Sequence, residues 1–357
     1  MKLIHCADLH LDSPLGRNLT AAQARERGGE LCAGFARMVR FGAEHGAQGV
    51  LIAGDLFDSN HVSPQVSGFV LDRIRQTPEM DFFCLRGNHD SGAGMFSGEN
   101  LPGNLKLFGP EWKTYRRENV TVTGMDVAWD KWDSCYETLN LPEDTVNILM
   151  LHGQVSTRPG RELIALPKLK GKHIDYLALG HIHSHQAGKL DDRGTWCYPG
   201  CPEGRGFDEC GVKGFVLLEI ENGQVNRSFI PFACRCLHEV EVDVTGAETV
   251  TEMLAAMTRA SAEIPDRDLV KFVLRGEVSP ETQMDPVFLR KMLEGNFYSV
   301  KVTDETALRL RPEDYLHDAS LKGEFIRRVL VLDRPRQEQE QIIRMGLRAL
   351  RGEEVGP

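Results

Sequence analysis

Five short segments of the chain carry side chains that can bind metal ions, and each follows directly on a short apolar run. The segments read Asp8-Leu9-His10, Gly54-Asp55-Leu56-Phe57-Asp58, Gly87-Asn88-His89-Asp90, His152-Gly153 and Gly180-His181-Ile182-His183. A single histidine in such a place is usually a surface residue or a satisfied core residue. The joint pattern of Asp8, Asp55, one Asn and five His indicates a metal centre. Oxygen and imidazole ligands without thiolate suit manganese, iron or zinc.

The number of candidate ligands indicates two metal ions. Two ions about 3.5–4 Å apart, bridged by one carboxylate, clamp the attacking and leaving oxygens in phosphoester hydrolysis. A water molecule shared by two dications becomes a hydroxide nucleophile near neutral pH, and the same ions stabilise the charge that develops on the phosphoryl group. The predicted chemistry is therefore attack of a metal-activated hydroxide on a phosphoester.

Alternating strands and helices must position these segments. Apolar runs with the length and polar boundaries of buried strands lie at residues 3–4, 50–53, 82–85, 148–151 and 176–179. Helical patterns over residues 21–46 and 64–76 separate the first three runs. This alternation predicts a layered α/β sheet, in which ligands bind beside the carboxyl ends of the strands. We therefore expect the five segments to converge on one crevice.

Composition and charge exclude several classes of protein. With 41% hydrophobic and 26% charged residues, the 357-residue chain is an ordinary globular one. No apolar run approaches the roughly 18 residues of a membrane span, and the N-terminus reads as a strand and not as a signal peptide. We therefore expect a cytoplasmic protein that does not contact a membrane. Its nine cysteines form no C-x-x-C pair and predict buried thiols, not a zinc framework or a disulfide scaffold.

The chain changes character near residue 235. Before that point, strands beyond residue 190 become antiparallel, with Asn222-Gly223 as a hairpin turn. Residues 236–312 then alternate three strand patterns with two helical ones, which predicts a small α+β domain. Residues 313–357 contain two amphipathic helical patterns, at 320–332 and 337–351. The predicted domains are thus 1–235, 236–312 and a C-terminal helical segment over 313–357.

In order and spacing, the motifs DLH, GDLFD, GNHD, LHG and GHIH resemble the signature of the calcineurin-like metallophosphoesterases. The resemblance covers about the first 235 residues. It implies an α/β fold in the form of a four-layer αββα sandwich, with two sheets flanked by helices. It also implies two divalent metal ions.

The resemblance assigns a role to each matching residue. Asp8, His10 and His183 would hold the first ion, Asn88, His152 and His181 the second, and Asp55 would bridge them. His89 matches the family's catalytic histidine, which faces the phosphate and helps the leaving group depart. An unperturbed pKa near 6.5 suits that proton transfer. We expect Asp58 and Asp90 to lie behind the ligands and to orient histidines by hydrogen bonds.

A narrower resemblance concerns the double-strand-break-repair nucleases of the SbcD and YhaO type. It is carried by IHCADLHLDSPLG, GDLFD, YPGCPEGRGFDE and the small domain that follows. It implies manganese-dependent exonuclease and endonuclease action on DNA in repair, with iron or zinc as alternative metals. Residues 236–312 would be a capping domain over the cleft. The C-terminal helices would dock on an SbcC-type coiled-coil ATPase, and the chain would form a homodimer.

Two other functions stay open at this point. One is hydrolysis of a small-molecule or cyclic-nucleotide phosphoester, and the other is a non-catalytic scaffold role. The additional domain favours a large substrate, and the complete ligand set favours catalysis.

The charge of the chain bears on how it would bind DNA. Acidic residues outnumber basic ones by 52 to 42, so we expect weak, salt-dependent DNA binding by the isolated chain. Several basic groups are interpreted as solvated loop charges, with contact to a phosphate backbone as the alternative. These groups are Arg116, Arg117, Arg158, Arg161, Lys168, Lys170 and Lys172.

Overall fold

The computed structural model divides the chain into two units, Met1–Leu237 and His238–Pro357. It describes every residue except 17, 18, 59–61, 91–100, 127–134, 159–162, 281, 283, 311, 316, 351 and 353–357. Arg161, one of the basic residues considered above, lies outside the described residues. Within the described ranges, no helix is long and apolar enough to cross a membrane.

Two six-stranded sheets build the first unit. In spatial order, the first sheet contains β14 (Gln224–Pro231), β13 (Gly214–Glu221), β1 (Lys2–Cys6), β2 (Gly49–Ala53), β3 (Asp81–Leu85) and β4 (Leu105–Leu107). The second contains β11 (Gln186–Lys189), β12 (Thr195–Tyr198), β10 (Tyr176–Gly180), β7 (Val146–His152), β6 (Val120–Gly124) and β5 (Lys113–Arg117). The short strands β8 (Gln154–Ser156) and β9 (Leu163–Ala165) pair separately. Strands β1 to β4 are parallel, as are β6, β7, β10 and β12.

Apolar side chains on both faces of each sheet make four layers. The helices of this unit are α1 (Ala21–Glu44), α2 (Pro64–Arg75), α3 (Cys135–Thr138) and α4 (Leu166–Leu169). Leu51 of the first sheet and Ile148 of the second lie in one buried cluster between the sheets. Phe35 of α1 packs on the outer face of the first sheet, and Tyr136 of α3 packs on that of the second. The predicted αββα sandwich is confirmed.

Local sequence explains where these elements begin and end. The five predicted strands form β1, β2, β3, β7 and β10, and the two predicted helices form α1 and α2. The Thr20 side chain caps α1 by accepting a hydrogen bond from the backbone N–H of Gln23. The backbone N–H of Thr20 in turn donates to the side chain of Gln23. Asn222 and Gly223 both have positive φ, +51° and +80°, as the tight turn between β13 and β14 requires.

The second unit holds a three-stranded sheet and five helices among the described residues. The sheet contains β15 (Leu237–Asp243), β16 (Leu269–Arg275) and β18 (Ser299–Asp304), and β17 (Glu277–Val278) pairs with β19 (Ala307–Leu308). The helices are α5 (Val250–Ala260), α6 (Pro286–Leu293), α7 (Pro312–Tyr315), α8 (Leu321–Leu330) and α9 (Arg336–Leu350). Ile326 of α8 and Ile343 of α9 are buried in the same cluster as Phe272 of β16. The C-terminal helices therefore share one core with the α+β sheet, whereas the sequence was interpreted as two separate segments with a boundary at 312.

Candidate metal centre

The carboxyl ends of β1, β2, β3, β7 and β10 lie at one edge of the sandwich. Asp8 follows β1, and its backbone N–H donates to Gly54 O after β2, at 3.1 Å. The backbone N–H of Gly153, after β7, donates to Gly180 O at the end of β10, at 3.1 Å. His181 connects the two sheets, because its N–H donates to Asp8 Oδ1 at 2.9 Å. The loop after β3 joins them through His89, whose N–H donates to Asp55 Oδ1 at 3.0 Å, so the five motif loops meet as the strand pattern predicted.

The three residues predicted to hold the first ion lie together. Ligand atoms of Asp8, His10 and His183 are all within 4.8 Å of one another. The Nε2 atoms of His10 and His183 face each other at 3.2 Å. Asp8 and His10 are buried, and the His183 side chain is half-buried.

The three residues predicted to hold the second ion form an adjoining group. Asn88 Oδ1 lies 3.0 Å from His152 Nε2 and 3.3 Å from His181 Nδ1. His152 is buried, and its ring meets that of His181 edge to face, with centroids 5.4 Å apart.

Asp55 lies between the two groups. Its Oδ2 is 3.4 Å from His152 Nε2 and 3.8 Å from His10 Nε2. The backbone N–H of His89 donates to its Oδ1 at 3.0 Å, which fixes the carboxylate. Asp55 therefore contacts both groups, and the structure brings all seven of these residues together.

Carboxylates in contact with the Nδ1 atoms of His10 and His183 test whether a cation suits the first group. His10 Nδ1 lies 2.9 Å from Asp58 Oδ1, and His183 Nδ1 lies 2.7 Å from Glu209 Oε1. An ionised carboxylate can only accept a hydrogen bond. Each Nδ1 therefore carries the ring hydrogen, and each Nε2 presents a lone pair. Two lone pairs facing each other at 3.2 Å repel unless positive charge lies between them. The residues of the first group therefore fit a metal ion.

The same test applies to the second group. His152 Nδ1 lies 2.9 Å from the carbonyl oxygen of Ala53, which places its hydrogen there. Its Nε2 then faces Asp55 Oδ2 and Asn88 Oδ1, which are both acceptors. Three electron-rich atoms converge, and a cation satisfies all of them.

Electrostatics in the second group also favour positive charge. Although burial opposes it, the hydrogen bond and negative charge of Asp55 raise the pKa of His152 to about 9. Despite its own burial, Asp55 has its pKa held below the ordinary value by the hydrogen bond and charge of His152. The position between the two side chains therefore attracts a proton or a metal ion.

The backbone is strained at four of the predicted ligands. Asp8, His10, Asp55 and His181 have φ values of +53°, +44°, +50° and +102°. Positive φ is uncommon outside glycine and persists where the surrounding structure enforces it, often at functional sites. Sharp turns at these residues aim their side chains into the crevice.

His89, the predicted catalytic residue, lies at the open side of the centre. Its side chain is 42% exposed. Its Nδ1 lies 3.1 Å from the carbonyl oxygen of Asp58, and its ring packs edge to face on His10 with centroids 4.9 Å apart. A substrate can therefore reach His89 while its ring orientation stays fixed.

The two residues expected behind the ligands differ in what they contact. Asp58 contacts His10, as predicted. Asp90 does not orient a histidine among the described residues. Its carboxylate accepts the backbone N–H groups of Leu56 and Phe57, at 3.0 and 2.9 Å. The prediction for Asp90 is corrected: the buried carboxylate holds the loop that carries Asp55, because buried backbone N–H groups require an acceptor.

Two residues near the centre received no role from the sequence. Glu209 accepts a hydrogen bond from His183, and Arg205 contacts both Glu209 and Asp58. Both lie in the segment PEGRGFDE, which carries part of the nuclease resemblance. That resemblance indicates that the segment matters for the nuclease family, but it does not reveal which side chains the segment contacts.

Two of the basic groups considered above contact other residues of the first unit. Arg117 pairs with Asp81, the first residue of β3, and Lys172 donates to Leu139 O. Asp81 lies at the opposite end of β3 from Asn88, so Arg117 is remote from the centre. The alternative of contact with a phosphate backbone at the centre is therefore not supported for Arg117.

Comparisons with known proteins identify the family of the chain. The family model for calcineurin-like phosphoesterases matches residues 1–185. The uncharacterized metallophosphoesterase YhaO of Bacillus subtilis is 26% identical over 306 residues, which cover 79% of this chain and 73% of that protein. The DNA double-strand break repair protein Mre11 of Methanopyrus kandleri is 24% identical over 310 residues, covering 78% and 63%. The SbcD component of the SbcCD nuclease of Staphylococcus epidermidis is 24% identical over 280 residues, covering 68% and 72%. With its family match and its five motif loops gathered at one edge, the chain belongs to the calcineurin-like phosphoesterase family.

Proposed function

We propose that the chain is a dimetal phosphodiesterase that cleaves the DNA backbone as an exonuclease and endonuclease in DNA repair. The observation that carries this proposal is the position of Asp55 between two complete ligand groups. Asp8, His10 and His183 would hold one ion, and Asn88, His152 and His181 the other. Two divalent ions, with manganese as the first candidate, would supply Lewis acidity and a nucleophile at neutral pH.

His89 would act on the leaving group. Its Nδ1 faces the Asp58 carbonyl oxygen, so that nitrogen keeps its hydrogen. The proton exchanged with the substrate is then the one on Nε2. In the protonated ring, Nε2–H donates to the leaving oxygen as the phosphoester bond breaks.

DNA is the proposed substrate because two relatives are named for DNA double-strand break repair and for a nuclease. The net charge of −10 argues against binding over the whole surface. Contact with DNA would therefore concentrate at the metal centre, with further binding energy from a partner.

The proposed partner is an SbcC-type coiled-coil ATPase, since one relative is a component of the SbcCD nuclease. Helices α8 and α9 bury one face in the second unit and leave apolar side chains exposed. Ile342, Met345 and Leu350 of α9 are 37%, 50% and 46% exposed. We propose that this surface docks on the ATPase, that the chain works as a cytoplasmic homodimer, and that residues 236–312 are the capping domain.

The test is a manganese-supplemented assay with single-stranded DNA, duplex DNA and bis-p-nitrophenyl phosphate. We expect the wild-type chain to cleave all three substrates, and Asp55→Ala and His89→Ala to abolish cleavage. His185→Ala is the matched control, because His185 lies two residues beyond His183 but bonds Tyr198 O and stacks on Phe229. Cleavage of the small ester without cleavage of DNA would contradict the nuclease proposal and favour a small-molecule phosphoesterase.

A further inference from the structure

Arg205 connects the two carboxylates that lie behind the histidines of the first ligand group. Its Nη1 donates to Asp58 Oδ1 at 2.7 Å, and its Nη2 donates to Glu209 Oε1 at 2.8 Å. Asp58 contacts His10 Nδ1, and Glu209 accepts from His183 Nδ1. One guanidinium therefore links two histidines that come from different sheets.

Arg205 makes further hydrogen bonds to Glu209. Its Nε also donates to Glu209 Oε1 at 3.2 Å, and its backbone N–H donates to Glu209 Oε2 at 2.7 Å. The side chain is only 18% exposed. Three of the five N–H groups of the guanidinium bond these two carboxylates. The planar fork suits this geometry, because lysine offers a single point charge and cannot span two carboxylates in the same way.

Several groups fix the orientation of the Glu209 carboxylate. Its side chain is 4% exposed, and it accepts from Arg205 and His183. A buried carboxylate of this kind keeps its orientation only while its partners are present. Loss of the Arg205 guanidinium would remove three of the hydrogen bonds that orient Glu209 and Asp58, so the Nδ1 partners of His10 and His183 would be held less firmly.

We propose that Arg205 is a positioning residue that sets the metal affinity of the first ligand group through Asp58 and Glu209. The inference rests on the proposed function, since it assumes that the group binds a metal ion. Partners behind metal-bound histidines change metal affinity by about 10- to 100-fold. Arg205 makes none of its described contacts with the second group, so its effect is selective for the first.

The experiment separates the two groups by using single-site backgrounds of the full chain. Asn88→Ala retains the first group, and His183→Ala retains the second. Each chain is freed of metal with a chelator and titrated with Mn²⁺ by calorimetry. We expect Arg205→Gln to weaken Mn²⁺ binding about 10- to 100-fold in the first background and less than about threefold in the second. Arg205→Lys should give an intermediate loss.

Arg193 provides the matched control. Its Nε and Nη2 each donate to Asp175 at 3.0 Å, so it also binds one carboxylate through two N–H groups. Asp175 precedes β10, whereas the ligands follow that strand. Arg193→Gln therefore removes a similar pair away from the centre and should leave Mn²⁺ affinity unchanged in both backgrounds.

Several results would overturn the inference. Unchanged affinity of Arg205→Gln in the Asn88→Ala background would do so, as would an equal loss in both backgrounds, which indicates general damage. If the wild-type chain binds Mn²⁺ at both groups and Arg205 has no effect, this inference fails and the proposed function stands. If the wild-type chain binds no Mn²⁺, both fail.

Discussion

Gly87 lies so close to Asp55 that its replacement by alanine tests the geometry of the centre. A Cβ atom at Gly87 would lie 2.0 Å from Asp55 Oδ1 and 2.6 Å from the Asp55 backbone nitrogen. Real Cβ contacts are essentially never under 3.0 Å, so the carboxylate must move by about 1 Å or the loop must shift. A misplacement of about 1 Å at a catalytic group can cost about 100-fold in rate.

We therefore expect Gly87→Ala to lower manganese-dependent hydrolysis of bis-p-nitrophenyl phosphate about 100-fold. The strain should also lower the free energy of unfolding by about 1–3 kcal/mol, measured by urea titration. Mn²⁺ affinity should fall at both ligand groups, because Asp55 contacts both.

Gly68 of α2 is the control, because a Cβ there meets nothing within 4 Å. Gly68→Ala should leave activity unchanged and stabilise the helix by up to about 1 kcal/mol. Activity of Gly87→Ala within about threefold of wild type would refute the reasoning, since Asp55 would then tolerate displacement.

Three further predictions concern the fold and its charge. Burial lowers the pKa of His5 to about 3, and the neutral ring bonds Tyr176 Oη and Leu179 O. Below pH 6.5, the ordinary pKa of histidine, His5 becomes protonated in the unfolded chain but stays neutral in the folded chain. The free energy of unfolding therefore decreases as the pH falls from 6.5 towards 3. At pH 4 the loss is about 3 kcal/mol. Between pH 7 and 4, the unfolding free energies of wild type and His5→Gln, measured by urea titration, should therefore diverge by this amount. The same pH dependence in both proteins would contradict the prediction. Phe272→Ala, in the core of the second unit, should lower the unfolding free energy by about 3–5 kcal/mol, while an unchanged melting curve would show that this core is not as packed as described. DNA affinity of the isolated chain, measured by fluorescence anisotropy, should be weak and should fall steeply between about 50 and 200 mM salt; binding that ignores salt would exclude phosphate contacts as its source.

The ligand set could be predicted from the sequence because each member follows a buried strand directly. Parallel strands place their carboxyl ends side by side, so residues far apart in sequence, such as Asp8 and His181, meet without further information. The same logic predicted β1, β2, β3, β7 and β10. It did not predict β5, which reads Lys-Thr-Tyr-Arg-Arg and is largely exposed, or β6, which reads Val-Thr-Val-Thr-Gly and contains no continuous apolar run.

The surroundings of the ligands were harder to predict. Asp58 and Arg205 are 147 residues apart, and only the packing of two loops brings them together. Asp90 follows His89 directly, which favoured a histidine partner, but the turn directs its carboxylate to backbone N–H groups instead. A charged side chain in a loop has several partners within reach, and the sequence does not rank them.

The C-terminal helices illustrate the same limit. The apolar spacing predicted α8 and α9, and Ile343 and Leu347 are buried as that spacing requires. Leu350, at the next position of the pattern, is 46% exposed. The pattern identifies an apolar face but does not show how much of that face is buried in the protein.

The central claim is that one carboxylate, Asp55, joins two metal sites. Its most direct test is a Mn²⁺ titration of the chelator-treated chain, followed by calorimetry and by metal analysis after gel filtration. The account predicts two ions for each wild-type chain and weakened binding of both ions in Asp55→Asn. Binding of a single ion by the wild type, or loss of only one of two ions in Asp55→Asn, would contradict it.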